Sequence, residues 1–287
     1  MSIIEEAVRK VAQHSPRPGR TAREPRPEAP RHVHEGPRSA PVDTTQALRF
    51  QPVSLDDDVL EENNILTRLS DPAALRSYKI LRTRVLRRLE SQNWQSLAVT
   101  GSTAGEGKTL TAINLAFALA QDVNTWVFLV DLDLSHPTIA HYLGMGATRG
   151  ERGLSDYLTG EATLDNIVYR VEGQRLGVVP NFKALPHSSE LLTSPRMGEL
   201  LQALSAESPR RIIIFDMPPV LAADDVLAFS PYVDSHLLVV AEGTTGRDAL
   251  RSAKEVLAEM NLLGVVLNRS ADRGENPYYY GSEATRA

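Results

Sequence analysis

Cysteine is absent from this 287-residue chain. Disulfides and thiolate metal sites are therefore excluded, and a reducing compartment is compatible. Long hydrophobic runs are also absent: none approaches the roughly 20 residues of a membrane span. The start, Met1-Ser2-Ile3-Ile4-Glu5-Glu6, lacks the pattern of a secretory leader. Excess positive charge is missing too. The net charge is −5, so the chain as a whole does not read as a nucleic-acid binder. These absences make the cytoplasm the expected location. What remains is an ordinary globular composition, 42% hydrophobic and 23% charged, with length for one large α/β domain or two small ones.

The stretch Ser102-Thr103-Ala104-Gly105-Glu106-Gly107-Lys108-Thr109 stands out. It follows the apolar run Leu97 to Thr100 and precedes the apolar-periodic segment Leu110 to Ala120. Strand, glycine-rich loop and helix in that order are the context in which a phosphate-loop motif carries weight. Gly105 and Gly107 allow backbone geometry that residues with a Cβ resist. The loop N–H groups then form an anion nest at a helix N-terminus, where the dipole also favours negative charge. Lys108 is expected to reach the β- and γ-phosphates of a nucleotide, and the Thr109 hydroxyl to bind Mg²⁺. The usual first glycine of the motif is Ser102 here.

The flanking chain divides into three parts. Residues 1–70 are expected to be a tail: a short amphipathic helix over 2–13, a disordered Pro/Arg/His-rich stretch over 14–50 and a solvated acidic linker over 51–70. His14, His32 and His34 are read as solvated side chains. Residues 71–270 are expected to form one α/β domain, entered by a helix that begins at Asp71-Pro72. That helix has a strongly basic side, with Arg76, Lys79, Arg82, Arg84, Arg87 and Arg88. The apolar run at 126–130 reads as a parallel strand buried on both faces, 211–215 as another buried strand, and 176–180, 236–241 and 263–268 as further strands. Helices are expected over 154–158, 164–168, 190–204 with a break at Ser194-Pro195, and 247–260. Five or six strands with intervening helices predict a doubly wound, mostly parallel sheet whose ligands sit at the carboxyl ends of strands. Residues 271–287 are expected to be a flexible tail. They carry three of the eight tyrosines in succession, Tyr278, Tyr279 and Tyr280.

Three acids fall where that rule expects a site. Asp131 and Asp133 follow one buried strand, and Asp216 follows another. A carboxylate at a buried strand end needs a partner. Mg²⁺ held between Asp216, Thr109 and nucleotide phosphates would supply one. Asp131 and Asp133, separated by one residue, are read as able to point to opposite sides of an extended segment. One would then face the metal and the other an attacking hydroxyl.

Taken jointly, the phosphate loop, Val127 to Asp133, Ile212 to Pro219 and the tyrosine cluster resemble the bacterial tyrosine autokinases of exopolysaccharide and capsule synthesis, which are P-loop proteins. The similarity covers roughly residues 71–281. Segments 189–197 and 264–269 resemble the family as well. The resemblance implies that Ser102 to Leu110 bind ATP, with Lys108 catalytic, and that Thr109, Asp133 and Asp216 hold Mg²⁺. It makes Asp131 the base that activates a tyrosine hydroxyl and places Asn268 near the adenine. It implies phosphorylation of Tyr278, Tyr279 and Tyr280 in trans within a homo-oligomer. A separate membrane-embedded chain-length regulator would recruit the kinase to the inner face of the membrane. Two positions depart from the family pattern. Ser135 stands where an arginine follows the second aspartate, and Arg76 stands where the subunit-contact motif has glutamate. A catalytically weak, nucleotide-responsive export subunit is one alternative that these departures suggest. A partition-type ATPase switch is another, but its extra loop lysine is Thr103 here.

Overall fold

The computed structural model describes residues 50–67, 70–146, 150–185, 189–205 and 210–270. The amino-terminal helix, the His14, His32 and His34 region and Tyr278 to Tyr280 lie outside these residues. In chain order the elements are β1 (Gln51–Val53), α1 (Asp57–Glu62), α2 (Pro72–Gln92), β2 (Ser96–Gly101), α3 (Lys108–Leu119) and β3 (Thr125–Asp131). They continue with α4 (Ile139–Tyr142), α5 (Leu154–Leu158), β4 (Tyr169–Val171), β5 (Leu176–Val179), α6 (Ser189–Leu192) and α7 (Pro195–Leu204). The last are β6 (Arg210–Asp216), α8 (Asp225–Phe229), β7 (Ser235–Ala241), α9 (Arg247–Val256) and β8 (Leu262–Asn268).

Eight strands form one sheet in the order β1-β4-β5-β3-β6-β2-β7-β8. All pairings are parallel except β4 with β5. The central strands read as apolar runs because both faces are covered. Successive residues serve opposite faces. Val127, Leu129, Ile212, Ile214, Leu237 and Val239 pack with α2 and α3. Phe128, Val130, Ile213, Phe215, Leu238 and Val240 pack with α7, α8 and α9. The doubly wound sheet expected from the sequence is the observed fold.

The structure departs from the sequence expectation at the sheet's far edge and at two helices. Residues 51–67 do not form a solvated linker. Gln51–Val53 pairs with β4, Asp56 caps α1 through the Asp58 N–H, and Leu60 and Ile65 are buried. Phe50 stacks on Trp126 at 5.6 Å. The helix expected over 164–168 is a single 3₁₀ turn, Leu164–Asn166, followed by β4. The helix expected over 247–260 tightens into a 3₁₀ turn at Leu257–Glu259. Asp71 caps α2 through the Ala73 N–H, with proline in the first turn, as the sequence predicts. On its basic side, Arg82 donates to the Ala118 carbonyl at 3.3 Å, while Arg76 and Lys79 are exposed.

His236 on β7 sits beside Ala98 of β2 and is 2% exposed, and neither ring nitrogen has a hydrogen-bond partner. Burial pushes its pKa down to about 4. The unfolded chain therefore takes up a proton near pH 6.5 that the folded chain refuses. The contribution of His236 to stability is greatest above pH 6.5 and falls as pH drops toward 4, by up to about 3 kcal/mol. Chemical denaturation of a His236→Leu variant between pH 7.5 and 5 should show a shallower pH dependence than the parent chain. Equal slopes would show that the histidine does not cause the decline.

Candidate active site

The loop between β2 and α3 closes on itself through Glu106. Its carboxylate is fully buried and accepts hydrogen bonds from the Ser102 N–H (2.5 Å), the Thr103 N–H (3.1 Å) and the Thr103 hydroxyl (3.1 Å). Gly107 has φ +86° and caps the start of α3. A Cβ there would drive into Asn268 Nδ2. Only glycine meets both the left-handed backbone and that close approach. Asn268, at the end of β8, donates to the Glu106 carbonyl (3.0 Å) and accepts from the Arg269 N–H (2.9 Å). Both ends of its amide are thus engaged, and it braces the loop.

Register sets the acids side by side. Asp131 of β3 is the in-register partner of Asp216 of β6, and Asp216 is in turn paired with Val99 of β2. Parallel neighbours in register present side chains to the same face, as do residues i and i+2 of one strand. Asp133 lies just past the end of β3, yet it and Asp131 both bear on the Lys108 ammonium, so the two acids converge on one cation where the sequence reading had them able to face opposite sides. The Lys108 ammonium contacts Asp133 Oδ2 at 2.7 Å and feels the charges of Asp216 and Asp131. Burial alone would pull the Lys108 pKa down, but these carboxylates outweigh it and hold it above its ordinary value. The segment after Asp216 is pinned to β2: Met217 N–H donates to Val99 and the Thr100 hydroxyl to Pro218, at 2.9 and 2.7 Å.

Each acid has its own environment. Asp131 Oδ2 accepts from the Thr138 and Ile139 N–H groups, both at 3.1 Å, and so caps the start of α4. Its Oδ1 is buried without a partner. Burial and then the Asp216 charge push its pKa well above the usual carboxylate range. Burial also raises Asp216, to about 6, against the opposing pull of Lys108 and the nearby Thr109 hydroxyl. That hydroxyl eases the charge without forming a well-directed bond, and both Asp216 oxygens are buried without a hydrogen-bond partner. Thr138, which the sequence reading passed over, donates its hydroxyl to Thr109 Oγ1 at 3.4 Å. Its place just before a helix was the available signal.

These residues fit a nucleotide with Mg²⁺. A buried carboxylate oxygen with no donor is costly, and four of the orphaned buried oxygens are Asp216 Oδ1, Asp216 Oδ2, Asp131 Oδ1 and Ser102 Oγ. Mg²⁺ characteristically takes one or two carboxylates, several waters and substrate phosphates. Among the described residues no group of three or more His, Cys, Asp or Glu forms a cage of its own, which suits that mode. A cleft of about 490 Å³ opens between the loop after Asp133 and the loop after Asp216, lined by Ser135, Ser189, Glu190 and Asp224 among others. Arg196, in a segment that resembles the kinases, serves packing: it donates to the Tyr157 carbonyl at 2.9 Å and lies over the Tyr157 ring.

The chain as a whole is similar to known proteins. The family model for the CobQ/CobB/MinD/ParA nucleotide binding domain matches residues 97–279. Over 227 residues the chain is 31% identical to the tyrosine-protein kinase YwqD of Bacillus subtilis (strain 168), covering 77% of this chain and 93% of that one. It resembles the crystal structure of the chimerical protein CapA2B2, with TM-score 0.64 and 26% identity, over 77% of this chain and 94% of that one. It also resembles the kinase domain of the Escherichia coli tyrosine kinase ETK, with TM-score 0.60 and 25% identity, over 81% of this chain and 94% of that one.

Proposed function

The chain belongs to the bacterial tyrosine-protein kinases, which are built on a nucleotide-binding domain of the CobQ/CobB/MinD/ParA type, and on that premise we propose that it is an ATP-dependent autokinase that phosphorylates its own carboxyl-terminal tyrosines. The observation that carries this reading is the convergence of Lys108 and Thr109 with Asp131, Asp133 and Asp216, where Asp131 Oδ1 and both Asp216 oxygens are buried without a hydrogen-bond partner. A hydrolytic switch needs only to orient water. A tyrosine kinase needs a base placed for a phenol, and Asp131 Oδ1 is that group.

In the proposed mechanism the backbone from Ser102 to Leu110 cradles the phosphates, and the Lys108 ammonium shifts from Asp133 toward the β- and γ-oxygens. Thr109, Asp133 and Asp216 would hold Mg²⁺, which would neutralise charge on the phosphates. A tyrosine hydroxyl enters by the cleft beside Ser135. Its oxygen bonds to the γ-phosphorus as the bond from that phosphorus to the bridging oxygen breaks and ADP takes the electron pair. The phenolic proton passes to Asp131 Oδ1. Raised basicity suits Asp131 to this task, because a carboxylate of ordinary pKa is a poor acceptor for a phenol proton. The acceptors are Tyr278, Tyr279 and Tyr280 of a neighbouring copy in a homo-oligomer. The biological output is control of exopolysaccharide polymerisation or export, with a separate membrane-embedded chain-length regulator as partner. No described helix is long and apolar enough to cross a membrane.

Mass-spectrometric phosphotyrosine mapping of the full chain incubated with Mg-ATP, with and without the co-expressed regulator, tests the proposal. Phosphate on Tyr278, Tyr279 or Tyr280 is expected. ATP binding without phosphotyrosine in either condition would sink it and leave a nucleotide-responsive subunit.

A further inference from the structure

Glu106 does more than close its own loop. Its Oε1 accepts a 2.6 Å hydrogen bond from the hydroxyl of Thr245, 139 positions away in sequence. Thr245 lies in the turn between β7 and α9, and its oxygen in turn accepts from the Ala241 N–H at 3.0 Å, at the last residue of β7. The Glu106 carbonyl is held by Asn268 at the end of β8. One residue of the phosphate loop is thus fastened to the carboxyl ends of β7 and β8, while its carboxylate grips the loop's first two N–H groups. Gly101 leaves the room for this: a Cβ there would collide with Glu106 Oε2.

From this geometry we infer that Glu106 and Thr245 form a clamp that holds the phosphate loop in its nucleotide-receiving shape before the nucleotide arrives. The inference rests on the nucleotide-binding reading of the loop and names the residues that make it bind well. Neither residue reaches a reacting atom, so both are positioning residues. A loop of small residues is free to collapse, and ordering it at the moment of binding would subtract from affinity. A buried carboxylate with four donors orders it in advance, and charge-assisted hydrogen bonds are the stronger kind. Thr245 is the outside anchor, because it ties that carboxylate to a strand end that does not belong to the loop.

The consequence is an affinity effect with a defined pattern. Losing one such bond, at about 1.4 kcal/mol, weakens binding roughly tenfold. Thr245→Val should therefore raise the Kd for a fluorescent Mg-ADP analogue about tenfold, and Thr245→Ser, which keeps the hydroxyl, should restore it to within about twofold. The rate at saturating ATP should change little in Thr245→Val, since only the loop's readiness is lost. Glu106→Ala should weaken binding at least as much. In that background Thr245→Val should add little, because the partner is gone.

The experiment is this double-mutant cycle on the full chain, combined with hydrogen exchange of the Ser102 and Thr103 amides in nucleotide-free protein. Faster exchange at both amides in Thr245→Val and a non-additive cycle are expected. Additive losses would show that Thr245 acts only through Ala241, and unchanged affinity with unchanged exchange would overturn the clamp outright. If Glu106→Ala fails to fold, the Thr245 variants and the exchange data still decide. Failure of the parent chain to bind Mg-ADP would sink the nucleotide reading. The exchange data, taken without nucleotide, would still report on the clamp.

Discussion

Replacing Lys108 with alanine is expected to abolish tyrosine phosphorylation and to destabilise the nucleotide-free protein by about 3 kcal/mol at pH 8, the usual cost of removing one partner from a buried ion pair. For a folded unit of this size that lowers Tm by on the order of 10 °C. The second effect is the less obvious one. Lys108 contacts Asp133 and faces Asp216 and Asp131, and it is the cation through which all three acids are eased. Without it, Asp131 and Asp216 face each other across in-register strand ends.

The pH dependence distinguishes this account from a general packing loss. Removing Lys108 raises the folded-state pKa of Asp131 and Asp216 further above the unfolded value of about 3.9. The folded variant then binds more protons than the unfolded chain, so its stability falls as pH rises through the raised pKa range. The deficit against the parent should be small at pH 5, where Asp216 with its pKa of about 6 is already largely protonated, and full at pH 8. Denaturant melts at the two pH values measure it. A deficit independent of pH would mean that the lost aliphatic stem of Lys108, and not its charge, is what matters.

Asp131→Asn should cut phosphotransfer by 10²- to 10⁴-fold, the range associated with a general base, while leaving Mg-ATP affinity within a few-fold of the parent. The substitution is chosen for what it preserves. An asparagine oxygen can still accept from the Thr138 and Ile139 N–H groups, so the start of α4 stays capped. What it loses is the unpartnered oxygen that would take the phenolic proton. One negative charge also leaves a site where three crowd together, so the variant should be at least as stable as the parent at pH 8. Single-turnover phosphotyrosine formation under saturating Mg-ATP reads the chemical step, and the melt reads the fold. A rate within tenfold of the parent would remove Asp131 from the role of base. Asp131→Ala is a poorer probe, because it also discards the helix cap at a cost of about 1 kcal/mol.

Much of this arrangement was open to reading from the chain alone. The apolar runs of β3 and β6 announced buried strands, because a strand needs that composition to be covered on both sides, and the runs of β2, β7 and β8 announced further strands. Asp71-Pro72 marked the start of α2, and Ser194-Pro195 the break between α6 and α7. The phosphate loop was recognisable because its glycines, lysine and threonine are contiguous. The failures have one kind of cause. β1 and β4 are three residues each, too short to carry a period, and they are strands only because the rest of the sheet offers them an edge. In 51–70 the acidic residues masked Leu60 and Ile65, whose burial depends on partners far along the chain.

The site divides in the same way. Which residues are candidates for the chemistry was determined by the sequence, since phosphate cradling, cation and carboxylates are properties of residue types at short spacing. How they act on one another was decided by tertiary structure. Asp131 meets Asp216 only because β3 and β6 are paired in that register. Lys108 finds Asp133 across 25 positions, and Glu106 finds Thr245 across 139. Periodicity and motifs report what the chain does within a few residues of itself. Burial, charge crowding and cross-strand hydrogen bonds arise when distant segments share one low-dielectric space, and there the energies are large enough to set which carboxylate holds a proton and which loop stands ready.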